Sequence, residues 1–408
     1  MTALQDPPPL EPEVLIEEAR RRQRRRRRAL LWAVVPPAAA ALVYGASSGG
    51  GPPSRARPTE RGGTPVGAPT ASWHQLSAPN GYIQPGAQIT SLIRWHGELI
   101  AAGGIQGSAR LRGRGCGNHC NPVVWISKNG RRWRAVFAGA TIGSLQQVDL
   151  AAVGNALLLF NSHEETQVWR STDGHSWRQV QLPKGMDGMP TLSVAANGRR
   201  VVVSFSTRFP AGPGGRVNPV WTSTDGLRWH RGYASRPLNF KSVAAAPHGF
   251  VAVASNSDQT RSFAMSSSNG LSWTSVPVNV PGDAETAVAA GSAGVVIESS
   301  YRGTVEFQSS ANGRRWIPVT GPHAGSLRTL LETRLGFIAF GATNNWVAFS
   351  GDGRHWTHLR AAGTPPSLLD LPTAVATDGD SLLVLETAQR NSHGLPAGAT
   401  TLWQLKLR

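Results

Sequence analysis

Ser171-Thr172-Asp173-Gly174-His175-Ser176-Trp177 is one of six copies of a seven-residue segment with the pattern Ser-x-[Asp/Asn]-Gly-x-x-Trp. The chain has 408 residues, and the tryptophans of successive copies lie 40 to 52 residues apart. The six copies end at Trp133, Trp177, Trp229, Trp273, Trp316 and Trp356. Self-similarity at such a period is typical of an array of structural units that stack against their neighbours. The repeat therefore predicts the architecture before any chemistry is considered.

Each repeat contains four segments with the pattern of short strands. In the repeat that holds Ser171, residues 148–153 form an apolar run, Gly154-Asn155 is a tight turn, and residues 156–160 form a second apolar run. A polar loop leads to a third strand at 167–170, and the Asp-Gly turn leads to a fourth at 177–180. Four antiparallel strands per unit form one blade of a β-propeller.

The two ends of the array predict the number of blades. The last unit, 372–408, supplies three strands and no Asp-Gly turn, whereas Ser72-Trp73-His74-Gln75-Leu76 is a fourth strand without its three predecessors. If the N-terminal strand completes the C-terminal blade, the ring closes and no sheet edge stays open at the seam. The sequence therefore predicts an all-β, seven-bladed β-propeller over residues 71–408, with Trp73 as its seventh repeated tryptophan.

The turn residues have a structural role in this interpretation. Asp or Asn tolerates a left-handed backbone and caps its own turn, glycine adopts positive φ without strain, and the tryptophan packs between blades. The predicted turn residues are Asn129, Asp173, Asp225, Asn269, Asn312 and Asp352. A calcium or sugar site at each turn is the alternative, but one short acidic residue per turn supplies too few oxygen ligands. We therefore predict no metal and no cofactor.

The N-terminal 70 residues predict a membrane anchor. Residues 1–28 contain two arginine runs, residues 29–45 are 17 uncharged and mainly apolar residues, and residues 46–70 are rich in glycine and proline. Seventeen residues are at the short end of what spans a bilayer, and the arginines favour a cytoplasmic N-terminus. We expect a cytoplasmic segment, a transmembrane signal anchor and a flexible linker that leads to an extracytoplasmic propeller. A cleaved signal peptide and a twin-arginine signal are the alternatives.

The net charge of +17 is shared between this segment and the repeats. Residues 1–70 carry +5 and the remainder +12, although an arginine-rich chain can also reflect genomic base composition. Both cysteines, Cys116 and Cys120, follow the anchor, so an oxidising compartment favours a small-loop disulfide between them. A zinc site that includes His119 is the alternative, but it lacks a fourth ligand nearby.

The repeated segment resembles the Asp-box, or BNR, repeat of sialidases and related propellers, in which Ser-x-Asp-x-Gly-x-x-Trp joins the third and fourth strands of a blade. Here the residue between Asp and Gly is missing in every copy, and three copies carry Asn. The resemblance covers residues 71–408 and implies the fold rather than a reaction. Sialidase catalysis would imply an arginine triad, a tyrosine nucleophile with a glutamate partner, and an aspartic acid. Tyr301, with Glu298 and Arg302, is the best match to the tyrosine and its partner, but no surrounding motif marks it.

Long insertions predict where a ligand binds. They occur at 103–122, 207–219 and 387–399, in loops that antiparallel pairing places on the face opposite the Asp-Gly turns. They contain Arg110, Arg112, Arg114, His119, Arg208, Arg216 and Arg390. Arginines suit carboxylates and phosphates, although solvated loop charges without a ligand are the alternative.

The predicted function is a membrane-tethered binding or scaffold module for an anionic glycan, an envelope polymer or a protein partner, without nucleic acid. A sialidase-type glycoside hydrolase and an assembly factor for a membrane complex remain alternatives.

Overall fold

The fold is that of a computed structural model, which describes residues 69–76, 81–83, 87–106, 120–138, 147–162, 166–186, 191–205, 219–234, 237–301, 304–321, 327–341, 346–362, 373–387 and 399–408. Within these ranges the chain forms strands and turns, and no helix there is long and apolar enough to cross a bilayer. The predicted anchor at residues 29–45 lies outside the described residues. It therefore stays a prediction.

The strands in chain order are β1 (Ala71–Gln75), β2 (Gly81–Tyr82), β3 (Ala87–Trp95), β4 (Glu98–Gln106), β5 (Cys120–Ser127), β6 (Arg134–Ala138), β7 (Gln147–Val153), β8 (Ala156–Ser162), β9 (Thr166–Ser171), β10 (Arg178–Gln179), β11 (Thr191–Ala196), β12 (Val201–Phe205), β13 (Val220–Ser223), β14 (His230–Arg231), β15 (Tyr233–Ala234), β16 (Asn239–Ala246), β17 (Gly249–Ser255), β18 (Ser262–Ser267), β19 (Ser272–Val278), β20 (Glu285–Gly291), β21 (Gly294–Tyr301), β22 (Thr304–Ser310), β23 (Ile317–Val319), β24 (Leu327–Thr333), β25 (Gly336–Gly341), β26 (Val347–Ser350), β27 (Thr357–His358), β28 (Ala361–Ala362), β29 (Thr373–Asp378), β30 (Ser381–Thr387) and β31 (Ala399–Leu407).

These strands form seven sheets, which are the blades of the propeller. Blades 1 to 6 each contain four consecutive antiparallel strands, which begin at β3, β7, β11, β16, β20 and β24. Blade 7 contains β29, β30, β31 and β1. The first strand of each blade contacts the first strand of the next, and β29 of blade 7 contacts β3 of blade 1. The predicted all-β, seven-bladed ring is therefore confirmed.

The seam of the ring lies in blade 7. Strand β1 pairs antiparallel with β31, from Ala71 opposite Leu407 to Gln75 opposite Trp403. Beyond the strands, the Thr70 N–H donates to the Arg408 carbonyl at 2.8 Å, and the Arg408 N–H donates to the Thr70 carbonyl at 2.9 Å. These two residues occupy the place that an Asp-Gly turn takes in the other blades. The prediction that the N-terminal strand completes the last blade is confirmed.

The core consists of apolar clusters between neighbouring blades. Each boundary buries strand side chains from the two blades that meet there, and one repeated tryptophan packs into every boundary. From the boundary of blades 7 and 1 round to that of blades 6 and 7, these are Trp133, Trp177, Trp229, Trp273, Trp316, Trp356 and Trp73. Because aromatic side chains bury the largest apolar area, the tryptophans contribute strongly to blade packing.

In all six turns the Asp or Asn Oδ1 accepts a hydrogen bond from the backbone N–H two residues later. In blade 2, the Gly174 N–H donates to the Ser171 hydroxyl at 2.8 Å, and the N–H groups of His175 and Ser176 donate to Asp173 Oδ1 at 2.8 and 2.7 Å. The Ser176 and His175 N–H donors hold the pKa of the Asp173 carboxyl far below its usual range. The Trp177 indole N–H donates to the Gly174 carbonyl at 3.0 Å.

The indole hydrogen bond is made in only four of the six turns. Trp133, Trp273 and Trp316 repeat the bond of Trp177. In contrast, the buried indole N–H groups of Trp229 and Trp356 have no hydrogen-bond partner among the described residues. Packing, which is common to all six, is therefore the shared role of these tryptophans.

The turn glycine also packs against the preceding blade. Gly226 has φ of +73°, and a Cβ there would overlap the fully buried side chain of Leu158 in blade 2. Gly313 has nearly the same φ, +72°, but no heavy atom lies within 4 Å of the position of its Cβ. Substitution of these two glycines therefore distinguishes the cost of backbone strain from the cost of side-chain overlap.

We predict that Gly313→Ala lowers the free energy of unfolding by about 1 kcal/mol, the cost of a left-handed alanine. Gly226→Ala adds an overpacking cost of about 1–3 kcal/mol because the new Cβ would overlap the fully buried side chain of Leu158. Urea unfolding of the two variants measures the difference. Equal losses would show that the turn glycine does not pack against the preceding blade.

Candidate functional site

The two faces of the ring differ in construction. Antiparallel pairing places the turns between third and fourth strands, and those between first and second strands, on one side, here named the turn face. The loops between second and third strands and the connections between blades lie on the other side, here named the insertion face. The predicted ligand residues Arg110, Arg112, Arg114, His119, Arg208, Arg216 and Arg390 lie outside the described residues, as do Arg302 and Cys116. Cys120 begins β5, but its side chain is also outside them, so these assignments stay predictions.

Part of the insertion face is described without a gap, at the boundary of blades 4 and 5. Its two loops are residues 256–261 and 279–284. Asn256 Oδ1 accepts from the N–H groups of Thr260 and Arg261 at 2.9 and 2.8 Å, which fixes the first loop. The Ser262 hydroxyl donates to the Pro281 carbonyl at 3.1 Å and holds the second. Hydrogen bonds thus hold both loops in position on this part of the insertion face, here named the mouth of blades 4 and 5.

Gly282 joins the two loops. A Cβ at Gly282 would overlap the Gln259 carbonyl, so only glycine allows this approach. Gln308 from blade 5 also donates to the Asn279 carbonyl. The loops of blade 4 and the strands of blade 5 therefore form one fixed surface.

Lys241 points from blade 4 towards blade 5. It is the extra residue of a β-bulge in β16, where the register with β17 shifts between Phe240 and Ser242. Its Nζ donates to the Ala284 carbonyl at 2.6 Å. Burial lowers the pKa of Lys241 to about 8, although Asp283 and Glu285 act in the opposite direction.

Hydroxyl groups make the same kind of bridge at other blade boundaries. The Thr90 hydroxyl donates to the Val148 carbonyl at 2.6 Å, and the Ser193 hydroxyl accepts from the Val243 N–H at 3.1 Å. These bonds satisfy backbone groups on the inner edge of a first strand, which lacks a partner strand. At the boundary of blades 4 and 5, Lys241 makes such a bridge with a long cationic side chain, beside the Ser242 and Thr286 hydroxyls, which lie 3.3 Å apart.

Glu298 is a buried carboxyl of blade 5, close to Glu285. It lies on β21 opposite Ala287, and only 5% of its surface is exposed. Burial raises its pKa to about 7, the Ala287 N–H opposes this shift, and the charge of Glu285 adds to it. Glu285, which is exposed, therefore influences both Lys241 and Glu298.

The structure does not bring Tyr301 and Glu298 together. Successive residues of a strand point to opposite faces, so residues three apart also do. Tyr301 packs with Ile297 at the boundary of blades 4 and 5, whereas Val296, which shares the face of Glu298, packs at the boundary of blades 5 and 6. Glu298 is instead grouped with Glu285, which the sequence analysis did not select.

The described mouth of blades 4 and 5 is acidic rather than basic. Three exposed carboxylates, those of Asp258, Asp283 and Glu285, lie there with two cations, the exposed Arg261 and the half-buried Lys241. No group of three or more Asp, Glu, His or Cys residues that could hold a metal ion occurs in the described ranges. The arrangement can accept hydrogen bonds from a cationic group and donate one from Lys241. The sequence signal for this group of charged residues was Lys241, one of four lysines in the chain, which lies within a mainly apolar first strand.

Comparison with known proteins identifies the fold and no family. No family model matches the chain, and no curated protein matches it. Among solved structures, streptogramin B lyase is similar with a TM-score of 0.52 and 7% identity, over 83% of this chain and 98% of the lyase chain. YCF48 bound to D1 peptide gives a TM-score of 0.51 and 14% identity, over 84% of this chain and all of that chain (100%).

A third similar structure is a catalytically inactive variant of virginiamycin B lyase from Staphylococcus aureus with quinupristin. Its TM-score is 0.51 at 8% identity, over 83% of this chain and 100% of that one. At such identities these likenesses show the β-propeller fold alone. The fold occurs both in enzymes and in a peptide complex, so the site must decide the function.

We predict that Glu298→Gln changes the pH dependence of stability. The folded state holds the Glu298 proton up to about pH 7. The unfolded chain releases it near the ordinary glutamate pKa, so the parent protein loses stability as the pH rises between these values. The variant lacks this loss and gains up to about 3 kcal/mol on the parent at pH 8.

Unfolding by urea at pH 4, 6 and 8 measures this difference. Glu306→Gln, which removes an exposed carboxyl from the adjacent strand β22, is the matched control, and its stability should stay parallel to that of the parent. A pH-independent effect of Glu298→Gln would show that this carboxyl has its ordinary pKa.

Proposed function

We propose that this chain is a membrane-tethered, extracytoplasmic scaffold that binds a partner protein on its insertion face. The observation that supports this most is the fixed mouth at blades 4 and 5. There, two hydrogen-bonded loops hold Asp283 and Glu285 in solvent beside Lys241. Pre-ordered polar groups on a rigid scaffold lose little conformational freedom on binding.

The proposed compartment rests on the N-terminal sequence. Residues 1–28 would stay in the cytoplasm, residues 29–45 would cross the membrane, and residues 46–70 would link the anchor to the propeller. An oxidising exterior would also suit a disulfide between Cys116 and Cys120. In this arrangement the partner lies outside the cytoplasm or in the same membrane.

The charge of the described mouth favours a protein partner with a basic segment. Carboxylates accept charge-assisted hydrogen bonds from lysine and arginine, and Lys241 can donate to a backbone carbonyl. The solved complex of YCF48 with D1 peptide supports a peptide as ligand, since that protein has the same fold. A role as an assembly factor is consistent with such binding. An anionic glycan or envelope polymer would instead use Arg110, Arg112 and Arg114.

We predict that a photo-crosslinking residue in place of Asp258, exposed on the insertion face, captures a discrete partner from native membranes. The same residue in place of His248, exposed on the turn face, should not capture it. Asp283→Asn with Glu285→Gln should reduce the adduct at least about tenfold, because two charge-assisted contacts are lost.

A turn-face pair, Glu98→Gln with Asp380→Asn, removes the same number of carboxylates and should leave the adduct unchanged. An adduct that survives the insertion-face pair but is lost on replacing Arg110, Arg112 and Arg114 by glutamine would identify an anionic ligand instead. Equal capture from both faces would overturn the proposed binding face.

A sialidase-type hydrolase remains the second candidate, because Glu298 is a buried carboxyl beside a second carboxylate. A raised pKa suits a general acid in glycoside hydrolysis, which uses two carboxyl groups. The separation of Tyr301 from Glu298 argues against the tyrosine nucleophile that the sialidase resemblance implies.

We predict no release of fluorophore from a fluorogenic sialoside by the purified full-length protein. Turnover that is lost in Glu298→Gln and kept in Glu306→Gln would establish the hydrolase and reject the scaffold as the primary function. Loss in Tyr301→Phe as well would restore the tyrosine to the mechanism.

A further inference from the structure

The turn face is strongly basic on both sides of the seam. The turns of blades 5, 6 and 1, which flank blade 7, contain six lysines and arginines and one acidic residue. These are Lys128, Arg131, Arg132, Arg314, Arg315 and Arg354, here named the basic arc. The equivalent turns of blades 2, 3 and 4 contain one arginine, Arg228, and two aspartates. Among the turns between third and fourth strands, the positive charge is thus concentrated around the seam, while Arg199 and Arg200 lie in the turn between the first and second strands of blade 3.

The carboxylates near the basic arc already have hydrogen-bond or ion-pair partners. The acidic residue in these turns, Asp352, accepts from the N–H groups of Arg354 and His355 at 2.8 and 2.9 Å. Asp378 and Asp380, on the inner turn of blade 7, pair with Arg94 at 3.2 Å and Arg334 at 3.8 Å. In contrast, Lys128, Arg132 and Arg314 are exposed and form no ion pair with a described residue. The arc therefore retains positive charge that points into solvent.

The N-terminal segment joins the ring at the centre of the basic arc. Thr70 pairs with Arg408 at the turn-face end of blade 7, between the basic turns of blades 6 and 1. The described chain therefore enters the ring on this face, at residues 69 and 70. If residues 29–45 cross the membrane, the linker holds this side of the ring near the bilayer. A linker of this length has a root-mean-square span of about 25–30 Å.

We propose that the basic arc binds anionic lipid headgroups of the anchoring membrane, so that the turn face lies on the bilayer and the insertion face points away. This rests on the proposed membrane tether. Each lysine or arginine close to an anionic surface contributes about 1 kcal/mol, and the interaction extends over a Debye length of about 8 Å at physiological salt. The tether raises the local concentration of headgroups, so several exposed cations are sufficient to fix the orientation.

The test uses the full-length protein in nanodiscs of zwitterionic lipid, with or without anionic phosphatidylglycerol. Hydrogen–deuterium exchange is followed in the turn segments 128–134, 311–316 and 351–356, and in the insertion-face segments 256–261 and 279–284. Anionic lipid should slow exchange in the turn segments by about tenfold, the equivalent of one to two contacts of this strength, and leave the insertion-face segments unchanged. High salt should remove the protection.

Two matched variants show whether the basic arc causes the protection from exchange. Replacement of Lys128, Arg132, Arg314 and Arg354 by glutamine should abolish the protection. The control replaces by glutamine four exposed arginines outside the arc, Arg178, Arg231, Arg261 and Arg360, and should retain the protection. Protection without anionic lipid, or equal loss in both variants, would overturn the proposal.

A separate measurement distinguishes failure of the tether from failure of the arc. If alkaline carbonate releases the full-length protein from membranes, the tether is wrong. Flotation of the released protein with anionic vesicles then tests the arc alone, and absence of binding overturns it. If the protein resists extraction but the turn segments show no lipid-dependent protection, the tether stands and the arc is wrong.

Discussion

Antiparallel pairing of β1 with β31 is the interaction on which the ring depends. Thr70 and Arg408 are 338 residues apart, and the length-dependent part of the entropy of bringing them together is about 5 kcal/mol. The ladder and the burial of Trp73 offset this cost, since one buried tryptophan alone is worth several kcal/mol. Without β1, blade 7 would expose the edge of β31, and the boundary of blades 6 and 7 would lose its repeated tryptophan, Trp73.

The packing of each turn divides it into constrained and free positions. The Asp or Asn side chain binds backbone N–H groups, and in most turns the glycine contacts the preceding blade, so both are constrained by packing. Most of the residues between glycine and tryptophan are exposed, and only Leu271 and Arg354 among them are half-buried. Their charge can differ from blade to blade without loss of fold. The concentration of arginine at these positions around the seam is therefore not required by the architecture.

The periodic features could be predicted from the sequence because their causes are local. A turn needs a short polar residue, a glycine and a tryptophan at fixed spacing. The seam could be predicted because residues 72–76 read as a fourth strand without its predecessors and residues 372–408 supply only three strands. The environment of Lys241 could not be predicted, because it depends on a bulge and on the Ala284 carbonyl of another blade. The pairing of Tyr301 with Glu298 relied on closeness in sequence, but strand geometry directs the two side chains apart. Strands β15 and β28, two residues each, pair parallel with the next blade and have no sequence pattern.

The strand that closes the ring is also the strand that continues into the N-terminal segment. Tension from a membrane tether would therefore act on β1, along its own axis, from the Thr70 end at the turn face. In an antiparallel ladder the hydrogen bonds lie perpendicular to the strands, so such a load acts on all the bonds of the β1 and β31 pair together. A tether at an outer loop would instead separate bonds one at a time. Attachment at the seam is thus mechanically compatible with a closed ring, because the element that carries the load is held along its whole length.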